Sequence, residues 1–157
     1  MNVKIINPFI QATQSVIQTL CNVETAVGKV YLKNSPFFAN QIIIVIGLVG
    51  KIRGQVYFEL SRETAICIAS SMMGGMPVVE MDEISKSAIS EMGNMIMGNT
   101  CSLFAQESIQ IDITPPSLMS GNNIEISNRQ PTIAIPLELS ELGLLTLNVT
   151  IEQDKQK

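Results

Sequence analysis

"IIIVIGLVG", residues 42–50, is the longest apolar run in the chain. It is dominated by β-branched side chains, which favour extended backbone. It falls well short of the roughly 20 apolar residues that a membrane-crossing helix needs. No polar residue alternates through "IIIVI", so the run is expected to form a strand covered on both faces. "RGQVYFEL", residues 53–60, reads as another strand. Only a short turn, Lys51–Gly54, separates the two, and they are expected to pair as a hairpin.

The flanking segments extend this sheet. Upstream, "VGKVYLKN" (27–34) reads as a strand, with "SPFFAN" as the loop that follows. Before it, "NPFIQATQSVIQTLC" (7–21) has helical apolar spacing, with Asn7 as its expected cap and Pro8 in the first helical position. Downstream, Ser61 opens a helix that Gly74 and Gly75 end. "MPVVEMD" is a linker, and Asp82 caps a third, longest helix reaching about Glu107. "IQIDITPPSLMSGNN" then holds a short strand and a Pro-Pro break, and "IEIS", "TIAIPLELS" and "LLTLNVTIE" read as strands. The expected fold class is α+β, an antiparallel sheet with helices packed on it. Each half has one helix leading into a meander, a plan compatible with a pseudo-symmetric layout. At 157 residues the chain is expected to be a single domain, residues 1–157.

Composition narrows the function. A net charge of −4 and no Lys/Arg-rich cluster argue against nucleic acid and against an anionic membrane surface as partners. The opening "MNVKIINPFIQATQS" lacks the basic-then-apolar layout of a secretion signal. Three widely spaced cysteines, Cys21, Cys67 and Cys101, with no CxxC pair, are expected as reduced thiols in a cytoplasmic protein. The chain has no histidine, which excludes Ser-His-Asp triads, Cys-His dyads and histidine metal sites. No Gly-rich nucleotide cradle is present. Any chemistry falls to carboxylates, amides, hydroxyls or thiols.

The third helix carries the candidates. Side chains advance about 100° per residue. On that wheel Ile84, Ala88, Met92, Met95, Ile96 and Leu103 gather as an apolar face, with Ile89 at its edge. Ser87, Glu91, Asn94 and Gly98 form a separate stripe within about 60°. Solvated helix faces usually carry several long charged side chains. This one carries small polar groups and one acid, with no positive charge from Ser87 to Glu107. It is expected to be a contact surface. Gly98, lying in line with Glu91 and Asn94, removes a side chain where another surface could approach. The acids Glu80, Asp82 and Glu83 are read as complementing a helix N-terminus rather than binding a cation. Cys101 is read as inert.

The pattern SxxxExxNxxxG, as Ser87, Glu91, Asn94 and Gly98, resembles the signature of the CheC/CheX/FliY family, phosphatases of the phosphorylated chemotaxis response regulator CheY. A single motif, this chain length and the "TPP" between the following strands resemble its CheX branch most. The resemblance implies a phosphatase of the phosphoaspartate of a CheY-like receiver. It assigns Asn94 to orienting the attacking water and Glu91 to the receiver's active-site lysine, with Ser87 and Gly98 as partner contacts. No cofactor is expected on this chain, and Mg²⁺ is expected on the receiver. A homodimer built by strand pairing is also implied. Some relatives carry a second ExxN motif on the first helix. Here that helix offers Gln11, Gln14 and Gln18 but no acid, so one site per chain is expected. Two other readings stay open: a non-catalytic module that binds a receiver or a flagellar switch component, and a structural dimeric domain.

Overall fold

The computed structural model describes residues 3–152. The elements run α1 (Val3–Cys21), β1 (Thr25–Val27), β2 (Tyr31–Lys33), β3 (Phe37–Ala39), β4 (Ile42–Gly50), β5 (Arg53–Leu60), α2 (Arg62–Met72), α3 (Glu83–Gln106), β6 (Ile111–Ile113), β7 (Ser117–Ser120), β8 (Ile124–Ile126), β9 (Thr132–Leu139) and β10 (Gly143–Glu152). Eight strands form one antiparallel sheet in the order β1-β9-β10-β5-β4-β6, with β2 also on β9 and β7 also on β4. The fold is α+β, helices packed on an antiparallel sheet.

The strand order contains a pseudo-twofold. The hairpin β4–β5 of the first half meets the hairpin β9–β10 of the second at the central β5–β10 pair. Each half sends its first strands to the other half's hairpin: β1 and β2 to β9, β6 and β7 to β4. The short strands β3 and β8 also pair with each other. In this scheme α1 and α3 are counterparts.

The run that opened the sequence reading is β4. Ile42, Ile44, Ile46 and Leu48 join the main core with Phe58, Ile89, Met92 and Ile96. Ile43 points the other way, where it is buried with Tyr57 and Ile126. Both faces are covered, as the unbroken apolar run requires. The cover on the second face includes β3 and β8, so part of the segment read as the loop "SPFFAN" is a strand. It pairs Phe37–Ala39 with Ile124–Ile126, partners 85 to 89 positions downstream by register. Short-range sequence signals carry no trace of such a pairing.

Two further expectations are corrected. The first helix does not start at Asn7 and Pro8. It is already helical at Val3, with Pro8 inside it. An interior proline costs about 3 kcal/mol. Burying one Ile, Val or Phe side chain gains about 1.5–3 kcal/mol, and Ile6, Phe9, Val16 and Ile17 are all buried. Packing outweighs the proline. Phe9 also meets Phe104 edge-on at 5.8 Å, joining α1 to α3. The second correction concerns the apolar face of α3. Its buried residues are Ser85, Ile89, Met92, Gly93, Ile96, Met97, Thr100 and Phe104. Ala88, Met95 and Leu103 are only partly covered, and Ile84 is 67% exposed. Ile84 lies seven residues before Glu91, about 20° short of two full turns, so it belongs beside the polar stripe.

Gly93 explains the closeness of α3 to the sheet. It is buried, and a Cβ there would stand 3.2 Å from Ile44 Cγ2, 3.6 Å from Ile46 Cδ1 and 3.7 Å from Phe58 Cδ2. A larger side chain has to push the helix off β4 and β5. Gly93→Val is expected to destabilise the protein by about 1–3 kcal/mol, read by urea denaturation; wild-type stability in that variant contradicts the packing account.

Candidate functional site

The site is built on α3, whose start is fixed by its cap. Asp82 has extended backbone, and its carboxylate accepts a hydrogen bond from Ser85 N at 2.8 Å. That bond holds the Asp82 carboxyl below its ordinary range. Glu83 adds an acid in the first turn, where the helix dipole favours negative charge. The inner face, seated through Gly93, fixes the rotation of the helix. Glu91 is two residues away, about 200° round the axis from Gly93, and is therefore turned outward.

Ser87, Glu91 and Gly98 are exposed, and Asn94 is half-buried. The four share the outward stripe, as the spacing requires. A Cβ added at Gly98 meets nothing within 4 Å, so the glycine answers no packing need inside the protein. Among the described residues, neither the Asn94 carboxamide nor the Glu91 carboxylate has a hydrogen bond or ion pair. Both groups are available to something outside the chain.

A shallow hollow of about 550 Å³ lies over this stripe. From α3 it is lined by Glu83, Lys86, Ser87, Ser90, Glu91 and Asn94, and from the sheet edge by Pro116, Leu118 and Ser120. The register of β7 on β4 pairs Leu118 with Ile44 and Ser120 with Ile42, which puts both side chains on the helix side of the sheet. Lys86, Ser90, Leu118 and Ser120 were not singled out from the sequence. Pro116 was read only as part of the "TPP" break between strands, and the structure places it in that wall. Among the described residues Lys86 is the single cation lining the hollow, and its Nζ lies 3.5 Å from Glu83 Oε1.

The other candidates are not part of the site. Cys101 is half-buried, and its thiol is pushed up by burial and then by the negative charge of Asp112. That disfavours the reactive thiolate. Burial raises the Cys21 thiol as well. Of the methionines clustered between Met72 and Met97, Met92 and Met97 are buried in the core and Met72, Met73, Met81 and Met95 pack against it. Gln11 and Gln18 of α1 are exposed, and Gln18 donates to Asn22 Oδ1 at 3.1 Å. Among the described residues no group of three or more Cys, Asp or Glu side chains could hold a metal ion. Among the described residues no helix is long and apolar enough to cross a membrane.

This fold, a long helix laid across a pseudo-symmetric antiparallel sheet, is shared with known proteins. The family model "Chemotaxis phosphatase CheX" matches residues 42–138. The chain is 31% identical to the CheY-P phosphatase CheX of Thermotoga maritima over 88% of its own length and 90% of that protein's. It therefore belongs to the CheX family. Its structure resembles a chemotaxis protein CheX from Desulfovibrio desulfuricans with a TM-score of 0.85 at 25% identity, covering 96% of this chain and 100% of that one. It also resembles CheX in a CheX-CheY-BeF₃-Mg²⁺ complex from Borrelia burgdorferi, with a TM-score of 0.81 at 27% identity, covering 94% of this chain and 97% of that one.

Proposed function

We propose that this chain is a cytoplasmic hydrolase that removes the phosphoryl group from the aspartate of a CheY-like response regulator in chemotaxis signalling. Two relatives support the reading: the Thermotoga homologue, a CheY-P phosphatase, and the Borrelia homologue, which forms a complex with CheY. The observation that carries the residue assignment is the outward Asn94 carboxamide beside the outward Glu91 carboxylate, neither engaged within the chain.

Hydrolysis of an acyl phosphate needs a water held in line with the scissile P–O bond and neutralisation of charge on the phosphoryl oxygens. In this reading the receiver carries Mg²⁺ and a lysine for the second task. Asn94 serves the first. A carboxamide both donates and accepts hydrogen bonds, so it can hold a water in the attacking orientation without titrating. This agrees with a chain that has no histidine. Glu91, one turn earlier, makes a charge-assisted contact with the receiver's lysine and sets the docking register. Gly98, with open space where its Cβ would be, lets the receiver's surface come close. Ser87, exposed on the same stripe, makes a secondary contact. The active site is complete only in the complex.

A homodimer belongs to the same reading. Leu32 on β2 and Phe38 on β3 are 57% and 69% exposed, apolar surface that a second copy would cover. Light scattering is expected to give twice the 17.1 kDa chain mass; a monomer mass contradicts the dimer.

The catalytic assignment is tested by phosphate release from a phosphorylated receiver. The wild-type chain is expected to accelerate release. Asn94→Ala is expected to lower the rate by about 10²-fold or more with an unchanged melting temperature. Glu91→Ala is expected to raise KM by about tenfold, as loss of an interface charge contact does. Wild-type activity in Asn94→Ala ends the assignment, and a wild-type chain that binds the receiver without speeding release makes it a binding module.

A further inference from the structure

The face of the sheet turned away from the helices carries a second hollow, of about 470 Å³. β5 sends Val56, Phe58 and Leu60 into the core shared with the helices. By alternation Arg53, Gln55 and Tyr57 point to the other side. The register of β10 on β5 sets Glu152 opposite Arg53 and Thr150 opposite Gln55, so these residues share that face. Arg129 comes to the same hollow from the loop between β8 and β9, with Ser127, Asn128 and Gln130. The chain has three arginines, and two of them line this one hollow.

Both arginines project from backbone that is held in place. Arg53 lies in the β5–β10 ladder. Asn128, next to Arg129, donates its backbone N–H to Ser35 Oγ at 2.8 Å and its side-chain amide to Thr132 Oγ1 at 3.2 Å. Thr132 Oγ1 lies 3.0 Å from Thr150 Oγ1, and the Tyr57 hydroxyl donates to Asn128 Oδ1 at 2.9 Å. The hollow thus has a wall of paired polar groups, and its arginines take no part in that network. Among the described residues neither guanidinium has a hydrogen bond or an ion pair, although Glu152 stands opposite Arg53 in register. Like charges at one hollow repel, and an anion between them removes the repulsion.

We propose that this hollow is a binding site for a phosphorylated sugar, with the phosphate held between Arg53 and Arg129. The planar guanidinium fork matches the oxygens of a phosphate. A phosphate monoester carries about −1.5 to −2 charges at pH 7, which two arginines balance and one does not. Pockets of about 300–1,000 Å³ suit small organic molecules, so a hollow of about 470 Å³ has room for more than the phosphate. The remaining lining suits hydroxyl groups. Gln55, Ser127 and Gln130 can donate and accept hydrogen bonds, and Glu152 accepts them. Among the described residues no aromatic side chain lines the hollow, so a nucleotide base has no platform to stack on. This site is independent of the one on α3, which packs on the opposite face of the sheet.

The test is isothermal titration calorimetry of the full chain at low salt. The probes are ribose 5-phosphate, glucose 6-phosphate, inorganic phosphate and adenosine 5′-monophosphate. At least one of the two sugar phosphates is expected to bind at one site per chain, about tenfold or more tighter than inorganic phosphate. Arg53→Gln and Arg129→Gln are each expected to weaken that binding by about tenfold or more, as loss of a charge-assisted bond does. Their melting temperatures are expected to match the wild type, since neither side chain has a partner to lose. Asn94→Ala is expected to bind the sugar phosphate as the wild type does. No binding of either sugar phosphate overturns the proposal, and so does undiminished binding in both arginine variants. Inorganic phosphate bound as tightly as both sugar phosphates makes the hollow a simple anion site and overturns the sugar. Adenosine 5′-monophosphate bound more tightly than ribose 5-phosphate overturns it in favour of a nucleotide.

Discussion

The seat of α3 on the sheet at Gly93 is the constraint on which the rest depends. With no side chain at that position, the helix lies so near Ile44, Ile46 and Phe58 that a Cβ alone would already touch them. Ile89, Met92 and Ile96 bury around the same seat. A helix pinned so closely cannot roll without creating overlap or a void, both of which cost stability in a close-packed interior. Its outer face is fixed as firmly as its inner one. The directions of Glu91 and Asn94 follow from that packing, and no hydrogen bond within the chain is needed to aim them. The two glycines of the helix thus serve opposite sides. Gly93 admits the sheet from within, and Gly98 leaves room outside.

The pseudo-twofold of the sheet gives this arrangement its context. Two similar halves exchange their first strands across a central β5–β10 pair, which ties the halves into one hydrogen-bonded structure. Symmetry in the backbone does not extend to the chemistry. The first helix occupies the place equivalent to α3 but carries glutamines and no acid, and a proline interrupts its hydrogen bonding. Its apolar residues serve the core, where Phe9 and Phe104 bring the two helices together. The fold offers two positions for an outward-facing helix stripe, and this sequence equips one of them.

Much of this was legible in the residues. β4 and β5, the Ser61 and Asp82 caps, the glycine stop at Gly74 and Gly75 and the strands after residue 130 all rest on local signals, and local signals survive folding. The stripe of Ser87, Glu91, Asn94 and Gly98 was legible because helical spacing alone puts those positions on one side. What escaped was non-local. β3 gains its strand character from β8, far along the chain. The start of α1 is decided by burial that overrides a proline. Ile84 was placed on the wrong face because apolar character was taken to mean burial, whereas its angle sets it beside Glu91. The hollow's second wall, Leu118 and Ser120, depends on the register of β7 on β4, and no spacing rule reports it.

The most direct measurement is a structure of this chain bound to its receiver, with BeF₃⁻ on the receiver's aspartate in place of the phosphoryl group. The account predicts the Asn94 carboxamide on the side of the beryllium opposite the aspartate oxygen. It is to hold a water there at about 3 Å, an ordinary hydrogen-bond distance, with Glu91 against the receiver's lysine. A complex in which the receiver docks elsewhere, or in which Asn94 stays out of reach of that water, contradicts it.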